Sequence, residues 1–153
     1  MPLLIDGYNL IITVGIMGRG VGQDRLGRDR LGQGNLERAR LALLNFLAES
    51  LEPGEVGRTT IVFDAKNAPT GLPRVVLHRG LTVRFAARYP DADSLIEELI
   101  DEESAPRNLT VVSSDHRIQR AARRRRAIPI DSDIWYQGVL DHRRRRQDAR
   151  KTK

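Results

Sequence analysis

Short apolar runs rich in β-branched residues punctuate the chain at 3–5 (LLI), 60–63 (TIVF), 81–86 (LTVRFA), 109–112 (LTVV) and 127–130 (AIPI), and stretches of helical periodicity separate most of them. Such alternation predicts a parallel sheet with helical crossovers. Leu36, Ala39, Leu43, Phe46, Leu47 and Leu51 fall on one stripe of period 3.6, which predicts an amphipathic helix over 36–51. A second helix is expected over 94–103, where Ser94 and Glu97 have the spacing of a reciprocal cap and Leu95, Ile96, Leu99 and Ile100 make an apolar face. Ile118, Ala121 and Ala122 give 116–126 a narrow apolar side, and Ile134, Trp135, Val139 and Leu140 do the same for 132–146. The segment 15–34 contains seven glycines and is expected to be a long flexible loop. Residues 65–74 also carry turn chemistry.

At 153 residues this pattern has room for one domain, expected over 1–142, with 143–153 as a basic tail. Aromatic residues make up only 5% of the chain, so the core must come from Leu, Ile, Val and Ala, which suits a thin sheet covered by helices. No apolar run is long enough to span a membrane and the N-terminus lacks a signal-peptide pattern, so a cytoplasmic protein without a membrane partner is expected. The absence of cysteine excludes disulfides and thiolate metal sites. Residues 143–153 hold seven Lys or Arg and one Asp, enough to account for the whole net charge of +6. A second block, 116–126, carries six arginines and no acid, which leaves the remainder acidic. Basic blocks beside an acidic body point to a polyanion held near a cation site; solvated helix faces and a disordered tail are the plainer alternative.

The acids are placed suggestively. In an open parallel sheet, ligands bind beyond the carboxyl ends of the strands. Asp6 ends the first run, Asp64 the second and Asp115 the fourth, while Asp93 opens the helix after the third. Four carboxylates from distant parts of the chain would thus meet at one edge and repel one another unless a cation sat among them. With no cysteine, and with His78, His116 and His142 scattered, a hard ion with oxygen ligands, Mg²⁺ or Mn²⁺, fits better than zinc. The chemistry that follows is metal-assisted phosphodiester hydrolysis.

Local readings compete with this one. A glycine follows Asp6, and a strand-to-glycine step is expected to expose its side chain with no helix directly after it to cap. Asp93 is alternatively a residue of the helix start, Asp64 part of the following turn, and Glu97 half of the capping box, although it also lies one turn from Asp93 on the same face. Ser113 and Ser114 either hydrogen-bond a phosphate or finish their strand. Tyr8 and Trp135 read most simply as packing, and Asp131 and Asp133 as caps of the last helix.

The segments IDGYNL (5–10), VFDA (62–65), DADSLIEEL (91–99) and VVSSDHRIQRAA (111–122), in that order and spacing, resemble the motifs of the NYN domains in the PIN-like nuclease superfamily, in particular the YacP-like group. The resemblance covers nearly the whole chain. It implies an α/β three-layer PIN-like domain with a parallel sheet of about five strands. It also implies a metal-dependent ribonuclease, an endonuclease, using Mg²⁺ or Mn²⁺. Asp6, Asp93 and Asp115 stand at the motif acids, Asp64 and Glu97 at supporting metal positions, and Asn9 at the motif asparagine that orients a water or phosphate. Ser114, Arg117, Arg120, Arg123 and Arg124 are the accompanying candidates for the RNA backbone. The expected partner is RNA, free or within a ribosome or other RNA–protein complex. A non-catalytic RNA-binding protein of the same fold is the alternative. A phospho-accepting receiver domain is disfavoured, because PIDSD follows the fifth run where a lysine would be needed. The chain departs from the family in RRRRAI, where a glycine turn is commoner, and in the Gly/Arg-rich 15–34 segment.

Overall fold

The computed structural model describes residues 2–15, 33–65, 74–87 and 89–151. The expected loops at 15–34 and 65–74 therefore lie almost wholly outside the described residues. The elements in chain order are β1 (Leu3–Asp6), α1 (Gly7–Val14), α2 (Gln33–Ser50), the short α3 (Pro53–Val56), β2 (Thr59–Phe63), β3 (Val75–His78) and β4 (Leu81–Phe85). They continue with α4 (Ala92–Glu102), a 3₁₀ turn at Pro106–Asn108, β5 (Thr110–Val112), α5 (His116–Arg124), β6 (Ile128–Ile130) and α6 (Ser132–Lys151).

The strands form one sheet in the order β3-β4-β2-β1-β5-β6. All neighbours are parallel except β3, which runs antiparallel to β4. Among the described residues the sheet thus has six strands where five were expected. The missed strand joins β4 through Arg79 and Gly80, both at positive φ (51° and 93°), a two-residue turn in which arginine occupies a backbone region that usually draws Asn or Gly. Arg79 is held there by its guanidinium, which donates to Glu49 at 3.1 Å.

Alternate residues of the strands feed two cores, as the pleat dictates. Leu3, Ile5, Ile61, Phe63, Val83 and Val112 face α1 and α2, where Leu10, Ile11, Leu43 and Leu47 are buried against them, and Trp135 and Tyr136 of α6 close that side. Leu4, Val62 and Val111 face α4 and α5, meeting Leu95, Ile96, Ile100, Ile118, Ala121 and Ala122. The result is a three-layer α/β/α fold, as expected.

Three boundaries differ in ways that bear on the site. A helix, α1, begins directly after Asp6, where none was expected. Helix α4 begins at Ala92, two residues before the predicted start, because Asp91 is its cap: the Asp91 carboxylate accepts from the Ser94 amide at 2.8 Å and from the Ser94 hydroxyl at 2.7 Å. The Ser94/Glu97 capping box is therefore not what starts this helix. Finally, α6 runs on to Lys151, so the boundary expected between 142 and 143 falls inside a helix. Arg143 donates to the Ser50 hydroxyl at 3.1 Å and stacks over Phe46 at 5.3 Å, and Arg146 donates to the Ser50 carbonyl at 3.2 Å. Part of the basic segment thus serves to dock α6 on the end of α2. Among the described residues no helix is long and apolar enough to cross a membrane.

Candidate metal centre at the carboxyl edge

Helices α1, α4, α5 and α6 all start at the carboxyl edge of the sheet, and this is where Asp6, Asp93 and Asp115 come together. Asp6 closes β1 on the face of Leu4, the α4 side, one residue before a glycine that is fixed by packing: a Cβ on Gly7 would lie 2.3 Å from the Phe63 ring. Asp6 is not exposed, as the glycine had led us to expect, but buried at 7% exposure. Burial first, and then the charges of Asp93 and Asp115, push its pKa up to about 7, against the Ser113 hydroxyl and the Asn9 amide, which pull it down. The Ser113 hydroxyl donates to Asp6 Oδ2 at 2.9 Å. Asp93, in the first turn of α4, is likewise raised, by burial and then by Asp115 and Asp91, with Arg117 opposing.

Capping explains one of these three acids. Asp115 caps α5, accepting from the Arg117 amide at 2.8 Å. Asp6 stands at the cap position of α1 without a side-chain capping bond, and the cap of α4 is Asp91, not Asp93. Asp6 is instead met by the Ser113 hydroxyl and the Asn9 amide, and Asp93 lies 3.9 Å from Arg117 Nη1. Asp64, which follows β2, is not among the main charges acting on Asp6 or Asp93; its charge is felt at Tyr8. Glu97 lies on α4 but is turned to Arg117, whose Nη2 donates to Glu97 Oε1 at 2.7 Å.

The candidate phosphate ligands divide. Asn9 Oδ1 accepts from the Ser114 amide at 2.9 Å and from the Ser132 hydroxyl at 2.6 Å, so this asparagine ties α1 to the turn after β5 and to the start of α6. Ser114 completes the clamp by accepting the Ser132 amide at 3.1 Å. Both are engaged in holding the edge together. Arg120, Arg123 and Arg124 lie on the exposed side of α5, whereas Arg117 turns back into the acids.

Several groups went unrecognised in the sequence. Gln119 donates to the Ser113 carbonyl at 2.9 Å and to Asp131 at 2.7 Å, fixing the strand end that carries the Ser113 hydroxyl. Buried Arg40 donates to the Tyr8 hydroxyl at 2.8 Å and lies 5.7 Å over the Phe85 ring; an arginine interrupting the apolar stripe of α2 was the available signal. Of the expected caps, Asp133 accepts from the Ile134 amide at 2.9 Å, while Asp131 is taken by Gln119.

Among the described residues no three acidic or histidine side chains form a ready metal-ligating cluster. In this arrangement Asp6 accepts from Ser113, Asp115 from the Arg117 amide, and Glu97 from the Arg117 guanidinium. The donor set nevertheless suits a hard divalent cation. It is all oxygen, the charges of Asp93 and Asp115 raise the pKa of Asp6, and Asp6 is buried.

The sequence profile of the YacP-like NYN domain matches residues 3–153. The structure aligns with the crystal structure of a variant of Rae1 (YacP) from Bacillus subtilis at a TM-score of 0.67 and 28% identity, covering 99% of this chain and 82% of that one. A second crystal structure of Rae1 (YacP) from Bacillus subtilis aligns with the same TM-score of 0.67 at 24% identity, covering 99% of this chain and 80% of that one. No curated protein matches the chain.

Proposed function

The chain belongs to the YacP-like NYN domain family, and we propose that it is a cytoplasmic, metal-dependent endoribonuclease that hydrolyses RNA phosphodiester bonds at the carboxyl edge of its sheet. The observation that carries this reading is Asp6: a carboxylate at 7% exposure, raised to about 7 by burial first and then by Asp93 and Asp115, which gather with it at one edge of the sheet. Such an arrangement is unfavourable by itself and becomes favourable when a cation shares the three acids.

Asp6, Asp93 and Asp115 would hold Mg²⁺ or Mn²⁺, and Glu97 stands one turn beyond Asp93 as a reserve ligand. When bound, such an ion supplies Lewis acidity, generating a nucleophile from water at neutral pH and stabilising the leaving oxygen. The protein's own part is positional. Ser113 orients the Asp6 carboxylate, Gln119 fixes the Ser113 backbone, and the Asn9–Ser114–Ser132 clamp ties α1, the turn after β5 and the start of α6 together at the edge. Arg120, Arg123 and Arg124 on the neighbouring helix face offset the repulsion between phosphates and acids without reading sequence.

The test is cleavage of end-labelled single-stranded RNA with Mg²⁺ or Mn²⁺ and with chelator. The reading expects cleavage that chelation stops and that Asp115→Asn abolishes, with 5′-phosphate and 3′-hydroxyl ends, because water attacks directly. Undiminished cleavage in chelator, or 2′,3′-cyclic phosphate products, would overturn it.

A further inference from the structure

Arg117 is the residue most closely woven into the acidic edge, through both its backbone and its side chain. Its amide donates to Asp115 Oδ1 at 2.8 Å. Its guanidinium reaches across to α4, where Nη2 donates to Glu97 Oε1 at 2.7 Å and to Ser94 Oγ at 3.2 Å, and Nη1 donates to Asp91 Oδ2 at 3.2 Å. Nη1 also lies 3.9 Å from Asp93 Oδ2. One residue thus touches three of the acids assigned to the metal, and its positive charge lies against Asp93 and Glu97.

A guanidinium and a divalent cation cannot both occupy the same carboxylate oxygens. Each neutralises the acids, so each removes the incentive for the other, and their own repulsion adds to the competition. The exchange is also physically easy. The Arg117 side chain is 41% exposed, so it can leave for solvent on its long stem while the metal takes over the charge of Glu97 and Asp93.

We propose that the Arg117 guanidinium is a resident counter-cation that competes with the divalent metal for Glu97 and Asp93, and so sets the metal concentration at which the centre loads. The inference rests on the metal-centre reading above. It differs from the expectation that Arg117 is a phosphate ligand, because the effect is on metal affinity and needs no RNA.

The experiment is Mn²⁺ binding followed by the electron paramagnetic resonance of free Mn²⁺, without RNA, on the full chain and on Arg117→Gln, Arg117→Lys and Asp6→Asn. Melting curves in chelator establish that each variant is folded. Arg117→Gln should bind Mn²⁺ about tenfold more tightly than the parent, the order expected when a unit positive charge a few ångströms away is removed from a partly exposed site. Arg117→Lys should tighten binding only about two- to threefold, since it keeps the charge but lacks a fork that can span Asp91 and Glu97. An Arg117→Gln protein that is folded and binds Mn²⁺ no more tightly than the parent overturns the inference; weaker binding would show that Arg117 only braces the site. Should Arg117→Gln not fold, the lysine variant decides in the same way. If Asp6→Asn weakens Mn²⁺ binding while the Arg117 variants leave it unchanged, the metal centre stands and only the competition fails. If the parent binds no Mn²⁺, or Asp6→Asn binds as the parent does, both fail together.

Discussion

At the scale of single residues, Asp6 has a titration signature that a surface acid would lack. Its folded pKa of about 7 stands above the value of 3.8 it has when solvated, so between those values the folded protein holds a proton that the unfolded chain releases. The stabilisation linked to that proton is complete below about pH 4 and is lost as pH rises through 7. Asp93, also raised, acts in the same direction. We expect the protein in chelator to lose stability between pH 5 and pH 8, and Asp6→Asn to remove most of that loss. Because only the two pH units from 5 to 7 lie below the folded value, the loss between pH 5 and pH 8 is bounded at about 3 kcal/mol. Denaturant unfolding of both proteins at the two pH values measures it; an identical pH dependence would mean that Asp6 is solvated. The neighbouring glycine is equally specific. Gly7→Ala drives a Cβ into the Phe63 ring, and overpacking of this kind costs about 1–3 kcal/mol, readable in the same unfolding curves. Asp6 and Asp115 were legible as carboxylates following a strand, and Asp93 as one opening the helix after a strand, because such positions are visible in one dimension. The Arg117 contacts were not, since they exist only once α4 and α5 lie side by side.

At the scale of elements, the clamp made by Asn9 joins α1 to two segments more than a hundred residues further along the chain. Asn9→Ala leaves the Ser114 amide and the Ser132 hydroxyl without their acceptor, a loss of about 1–3 kcal/mol, and should lower RNA cleavage more than its effect on stability alone explains. A variant melting like the parent would show that water replaces the amide. The basic end of α6 needs a different treatment. Arg143 and Arg146 dock the helix, so deleting 143–153 would confound stability with charge. Replacing the exposed Arg144, Arg145, Arg150 and Lys151 by Gln should leave melting unchanged. It should also flatten the slope of log affinity against log salt for single-stranded RNA by up to about 3, at roughly 0.7 per contact. A constant slope would mean that these side chains meet no RNA phosphate. Elements were legible where periodicity was clean, as in α2, and illegible where local preference misled. The β-branched Ile11, Ile12, Thr13 and Val14 argue against α1, which forms because Leu10 and Ile11 are buried under the sheet. Strand β3 was hidden by the arginine at positive φ in its turn, and the last turns of α6 by a run of charge that is nonetheless good helix-forming sequence.

At the scale of the molecule, three layers and a parallel sheet bring the starts of four helices to one edge, and the chain has used that edge to gather carboxylates. Helix α6 begins there at Ser132 and carries its arginines away from it; twenty residues of helix span about 30 Å, so the basic end lies far from the acids along the helix. An RNA that touches both must therefore lie along the surface instead of being clamped at one point. The central claim is that Asp6, Asp93 and Asp115 share a divalent cation, and anomalous diffraction from Mn²⁺-soaked crystals tests it most directly. A manganese peak bounded by those three carboxylates, with Glu97 withdrawn from Arg117, is the result the account predicts. Crystals that take up Mn²⁺ elsewhere but show none among Asp6, Asp93 and Asp115 would contradict it.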